Sequence, residues 1–181
     1  MIDETTLIDQ LQQPLTKEVA FKSLVVQYKE RLYWHIRKIV ISHDDADDVL
    51  QNTFVKVFKN IHTFKRDSKL YSWMYRIATN EAITFINKRA KEKNSTISDY
   101  QAHLTSTLDS DYWFSGNEIQ LILQKAIATL PQKQQLVFNM KYFDEMKYEE
   151  ISEILETSVG ALKASYHIAA KKIENFIKNY H

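Results

Sequence analysis

The residues most ready for chemistry form a helix-spaced set near the C-terminus: Gly160, Ala161, Lys163, Ala164 and His167, with Lys171 and Lys172 further along. Short side chains let a helix backbone approach the major groove of duplex DNA, and Lys163 and His167 can reach base edges or phosphates. Ser158 stands where its hydroxyl would cap that helix. A plain helical hairpin with a basic surface would leave the same trace on this segment alone. A second set comes earlier, with Lys65, Arg66 and Lys69 in the stretch HTFKRDSK, followed by Tyr71, Trp73, Tyr75 and Arg76 beside Asn80. Rings stack on unpaired bases while Arg and Lys follow phosphates, so this mixture suits single-stranded nucleic acid. Trp73 also falls at core spacing, and the core is its expected place. For Arg66, Lys69 and Arg76 a solvated basic face is the competing reading. A third set, Asp45, Asp48, Gln51 and Asn52, lies on one acidic-to-polar helix face.

Bond-making chemistry finds little material. The histidines (His35, His43, His62, His103, His167, His181) are scattered without metal-ligand spacing, and no glycine-rich phosphate loop occurs. With no cysteine there is no thiolate zinc site, disulfide or thiol nucleophile. Asp47 and Asp48 are adjacent acids at a helix start, where they oppose the positive end of the helix dipole. The expectation is a protein that is not an enzyme, with no catalytic residue, metal or cofactor. Net charge is +1, but all the arginines (Arg31, Arg37, Arg66, Arg76, Arg89) lie in the first half, and acids cluster at 44–48 and 144–156. Segregated patches let one face meet DNA and another meet something else. The opening MIDETTLIDQ does not resemble a signal peptide, and no stretch approaches the ~20 apolar residues of a membrane span, so a cytoplasmic protein without membrane insertion is expected.

Long helices must position these sets. Only two glycines and two prolines occur in 181 residues, too little turn punctuation for sheets, so the fold class is all-α. Helical periodicity runs from Thr16 to about Ile41, as one helix or as two broken near Glu30. A next helix opens at SHDDADD and buries Ala46, Val49, Leu50, Thr53, Phe54, Val57 and Phe58. Asp67 or Ser68 is a candidate cap for a further helix carrying Leu70, Trp73, Met74, Ile77, Ala78 and Phe85 inward. Residues 94–115, rich in Ser, Thr and Asp, read as a linker in which Tyr100, Tyr112, Trp113 and Phe114 stand out. Periodicity resumes at Asn117, Pro131 starts a new helix, and helices around Tyr148–Leu155 and Val159–Tyr180 flank Glu156-Thr157-Ser158 in a helix-turn-helix outline. The architecture expected is two small helical domains, 1–93 and 116–181, joined by the linker 94–115.

With these residues in place, the sequence resembles a known family. D-x-A-D-D-V-x-Q-x-x-F-x-K-V-F from Asp44 to Phe58, then Phe64, then S-W-M-Y-R-I-A-x-N over Ser72–Asn80, resemble region two of extracytoplasmic-function sigma factors. L-P-x-K-x-x-x-V-F over Leu130–Phe138, with Y-E-E-I and V-G-A-L-K after it, resembles their region four. The resemblance covers roughly residues 17–180. It implies RNA polymerase core and promoter DNA as partners, with an anti-sigma factor as a further candidate. It implies that Asp45, Asp48, Gln51 and Phe54 meet the polymerase clamp. Phe64, Lys65, Arg66, Lys69, Arg76, Asn80 and Arg89 fall where the family melts and captures the −10 element. Ser158, Gly160, Ala161, Lys163, Ala164, His167 and Lys171 fall on the segment that reads the −35 element. The linker matches the segment that threads toward the active cleft.

The sequence also departs from the family. Glu156 stands where relatives often have glycine at the helix-helix turn. If that position takes positive φ, glutamate costs about 1 kcal/mol. Ser165, Ile168 and Ala170 stand where relatives commonly carry arginines, so bidentate arginine–guanine contacts are unavailable there. Ile168 is left either buried or touching thymine methyls. A helix-turn-helix regulator acting as a dimer without polymerase is the alternative function, and predicts a stable homodimer.

Overall fold

The computed structural model describes residues 3–108 and 118–180. Among the described residues there are nine α-helices and no strand, and the chain divides into two compact units, Met1–Ile83 and Thr84–His181. The first holds α1 (Glu4–Gln12), α2 (Lys17–Val40), α3 (His43–Asn60), a 3-10 turn over Ile61–Thr63 and the start of α4 (Leu70–Glu92). The second holds the remainder of α4, then α5 (Ile97–Ser106), α6 (Glu118–Ala128), α7 (Gln132–Tyr142), α8 (Tyr148–Leu155) and α9 (Val159–Lys178). Composition marks a boundary after residue 93, whereas packing divides the chain inside α4.

The helices of the first unit follow from their apolar stripes, and α1 and α3 also from side-chain caps. In α2, Ala20, Leu24, Tyr28, Leu32 and Ile36 are buried at one-turn spacing. That stripe carries straight through Glu30, so of the two readings the unbroken one holds and α2 is one helix. Leu24, Leu32 and Ile36 are wholly buried, each contributing about 1.5–3 kcal/mol. Ser42 Oγ caps α3 by accepting from the Asp45 amide (3.4 Å), and Asp44 and Asp45 in its first turn oppose the dipole. In α4, Leu70, Met74, Ala78, Ala82 and Ile86 form a buried ladder. The sequence pattern gives no helix before Thr16, yet α1 forms there. Asp3 Oδ2 accepts from the Thr6 amide (3.3 Å), and Leu7, Ile8 and Leu11 are buried.

The second unit packs Ala126, Ile127, Leu130, Phe138, Ala169 and Ile173 together, with Leu123, Tyr166, Ala170 and Phe176 against them. Within the stretch read as linker, residues 97–106 form α5. Thr96 explains its start, since Oγ1 accepts from the Asp99 amide (3.1 Å) and donates to the Asp99 carboxylate (2.6 Å). Its buried positions are partly polar. Gln101 exchanges reciprocal 3.3 Å hydrogen bonds with Gln135 of α7, and Gln135 Nε2 also donates to the Leu130 carbonyl (2.7 Å). Buried amides that satisfy one another let a helix hide behind a polar composition. Tyr112, Trp113, Phe114 and Asn117 lie outside the described residues.

Candidate functional site

The helix-turn-helix is assembled as the spacing predicts. Ile151 and Ile154 of α8 and Leu162 of α9 are buried. Glu150 Oε2 accepts from the Lys147 amide at the start of α8 (3.0 Å), and Ser158 Oγ accepts from the Ala161 amide at the start of α9 (3.3 Å). Between them Glu156 adopts φ 50°, ψ 44°, the left-handed region that favours glycine. The strain suspected at this turn is therefore present.

On α9, Gly160, Ala161, Lys163, Ala164, His167 and Lys171 are all exposed, as is Ser158. A Cβ at Gly160 would meet nothing within 4 Å, so the fold does not require glycine there and the clearance faces solvent. Lys163 Nζ sits 5.8 Å from the Tyr148 ring centroid and Lys141 Nζ 5.0 Å from it. Burial, with Tyr166 nearby, pushes the Tyr148 phenol up from its usual value, and its ring lies against both cations. Lys172 Nζ donates to Gln134 Oε1 (3.2 Å), which sets it apart from Lys171. Ile168 is 45% exposed, which removes burial from its two readings.

The basic set of the first unit divides by burial. Lys65, Arg66 and Lys69 are exposed in the loop, and Arg76 and Asn80, one turn apart on α4, are exposed as well. Phe64 is buried, its ring 5.4 Å from that of Trp73, which is half-buried. These two rings anchor the loop to the start of α4. Tyr75, read with the surface aromatics, is instead wholly buried, its ring 4.5 Å from His35 and its hydroxyl donating to the Arg31 carbonyl (3.3 Å). The reason is the α4 ladder: position 75 lies beside Met74 and Ala78, on the inward side. Tyr71 remains half-exposed between two cations, Arg31 at 5.0 Å and Lys69 at 5.5 Å from its ring. Arg31 thereby joins the basic face, an addition that sequence reasoning missed because it comes from α2. Arg89 is exposed in the second unit, with Nη1 3.6 Å from Glu92 and its guanidinium over Phe85.

The acidic face of α3 presents Asp48, Gln51 and Asn52 to solvent, with Asp45 half-buried. Phe54 is 9% exposed and its ring meets Phe21 edge-on at 6.1 Å, so it seats the helix rather than projecting from it. Val55, 50% exposed and one turn after Gln51, adds an apolar spot to that face. Its signal in the sequence is a large apolar residue out of phase with the buried stripe.

Known proteins share both halves. Residues 24–92 match the family model Sigma-70 region 2, and residues 120–173 match Sigma-70, region 4. The ECF RNA polymerase sigma-E factor of Haemophilus influenzae is 26% identical over 185 residues, covering 98% of this chain and 96% of the relative. That of Escherichia coli is 26% identical over 187 residues, with coverage of 98% and 95%. Among solved structures, CnrH in complex with the cytosolic domain of CnrY aligns at a TM-score of 0.73 with 19% identity, over 98% of this chain and 99% of that one. The Bartonella quintana sigma factor RpoE, in complex with the anti-sigma factor NepR, aligns at 0.68 with 19% identity, over 89% and 98%.

Proposed function

This chain belongs to the extracytoplasmic-function sigma factors, with regions 2 and 4 of the sigma-70 family, and from that premise we propose how its two units divide promoter recognition. A sigma factor binds RNA polymerase core and directs promoter recognition, promoter melting and transcription initiation. On this reading α3 offers Asp45, Asp48, Gln51 and Val55 to core polymerase, with Phe54 seating the helix from beneath. The loop residues Lys65, Arg66 and Lys69, with Arg76 and Asn80 on α4, take the −10 element as it separates. Phe64 holds the loop by its buried ring, and Arg89 adds a backbone contact. On α9, Ser158 to Lys171 meet the −35 element, with Lys163 and His167 reading bases and Gly160 and Ala161 admitting the groove.

The observation that carries the reading is the sorting of side chains at the −10 face. Every loop and α4 cation assigned to DNA is exposed, while the neighbouring rings Phe64 and Tyr75 are buried as supports. The chain acts as a non-catalytic, cofactor-free subunit in the cytoplasm. Among the described residues no helix is long and apolar enough to cross a membrane. An anti-sigma factor is a third proposed partner, since the RpoE neighbour is held by one. The test is reconstituted transcription from a genomic fragment library, with core polymerase alone and with this protein added. Transcripts from a discrete set of start sites only in the second reaction support the assignment. Identical transcripts in both reactions would overturn it.

A further inference from the structure

Helix α1 lies before the residues 24–92 matched to region 2, yet its polar side chains grip the −10 loop along its whole length. At the loop's start, Gln12 Nε2 donates to the carbonyls of Ile61 (3.4 Å) and Phe64 (3.0 Å). At its end, the Leu70 amide, which opens α4, donates to Glu4 Oε1 (3.2 Å). In the middle, Arg66 Nη2 donates to Asp9 Oδ1 (2.6 Å) and to Gln12 Oε1 (3.0 Å). Arg66 needs such support because its backbone sits at φ 66°, a region that non-glycine residues seldom occupy. The underside of α1 is fixed in the core by Leu7, Ile8 and Leu11, so the grip rests on a rigid element.

We infer that α1 is the template of the −10 loop and that Asp9 and Gln12 are positioning residues which pre-orient Arg66 for the separated DNA strand. This rests on the proposed role of Arg66. A guanidinium carries five N–H donors. The bonds to α1 use Nη2 alone, so Nε and Nη1 remain for a phosphate or a base edge on a side chain that is 41% exposed. Asp9 is itself half-exposed, so the ion pair contributes little to stability, and its consequence is a fixed rotamer rather than a fixed fold. Ordering a long side chain before binding removes that entropic loss from the binding step.

The test uses full-length protein in holoenzyme, on a promoter recovered with the wild type, and reads open-complex formation by permanganate. Asp9→Ala is expected to lower opening about threefold to tenfold, the range set by ordering one flexible side chain. Asp9→Asn, which keeps the acceptor, is expected to retain most of it, and both variants should melt and bind core like the wild type. In an Arg66→Ala background, Asp9→Ala should add nothing, because its effect passes through Arg66. Unchanged opening in Asp9→Ala overturns the inference. So does increased opening in Asp9→Ala or Asp9→Asn, which would make Asp9 a mask competing with DNA. Full opening by Arg66→Ala would instead sink the underlying assignment of the loop.

Discussion

Replacing Glu156 with glycine should make the second unit more stable. Glu156 holds φ 50°, ψ 44° at the end of α8, and a side chain in that region places Cβ against the following carbonyl at a cost of about 1–2 kcal/mol. Glycine removes that clash but gains freedom in the unfolded chain, which returns about 0.4–1 kcal/mol. The net gain for Glu156→Gly is about 0.5–1 kcal/mol. At roughly 4–8 °C per kcal/mol for a domain of this size, its transition should rise by about 2–8 °C. Calorimetry on the full chain, with hydrogen exchange of α8 and α9 amides to identify the transition, measures this. Glu156→Ala is the control, because alanine keeps Cβ and removes only what lies beyond it, so the difference between the glycine and alanine variants isolates the backbone contribution. Duplex −35 affinity should stay within about twofold, since Glu156 lies in the turn and not on the start of α9 proposed to meet DNA. A Glu156→Gly variant that melts lower than wild type would refute the backbone argument. A Glu156→Ala variant that melts several degrees lower would show that the glutamate side chain, rather than its backbone, decides stability there.

Substitutions on each of the three proposed binding faces should have distinct effects. Asp48→Arg with Gln51→Ala, both exposed on α3, should abolish co-purification with core while circular dichroism stays native, because a reversed charge at an interface centre costs about 2–5 kcal/mol. Arg66→Ala and Asn80→Ala should impair promoter opening more than initial duplex binding, and equal losses on duplex and pre-melted bubble would reduce them to general phosphate contacts. Lys163→Ala should shift base preference across a randomised −35 library at a cost of about 1–3 kcal/mol, whereas Lys171→Ala should weaken all sequences alike and reduce the salt slope by about one. Lys172→Ala should change that slope less, since Gln134 of α7 holds its ammonium toward α7. Gly160→Ala should fold at least as well as wild type, because the added methyl meets open space, yet lose −35 affinity if the groove comes close to that backbone.

The helices and the helix-turn-helix were legible because their signals are local. Ser42 before the acids of α3, Ser158 before α9, and the one-turn ladders of α2 and α4 each declare themselves within a few residues. What escaped depends on partners far along the chain. The first amide of α4 donates to Glu4, although Asp67 and Ser68 are the nearer candidates in sequence. Helix α5 lies in a stretch rich in Ser, Thr and Asp, and the burial of its Gln101 makes sense only once that side chain meets Gln135. Tyr75 looks like a surface ring among Tyr71, Trp73 and Arg76 until the inward side of α4 is fixed by His35 across the core. Val55 and Arg31 join the candidate faces for the same reason, since exposure and neighbourhood are tertiary properties.

On the proposed division of labour, the first unit opens promoter DNA when it is carried by core polymerase and the second unit holds the duplex upstream. The most direct measurement is permanganate reactivity along a recovered promoter, comparing this protein alone, core alone and the two together. Reactive thymines confined to one short segment near the start site, seen only with both components and lost in Asp48→Arg with Gln51→Ala, are the predicted result. Tight duplex binding by a homodimer of this protein without core, and no reactive segment when core is added, would contradict it.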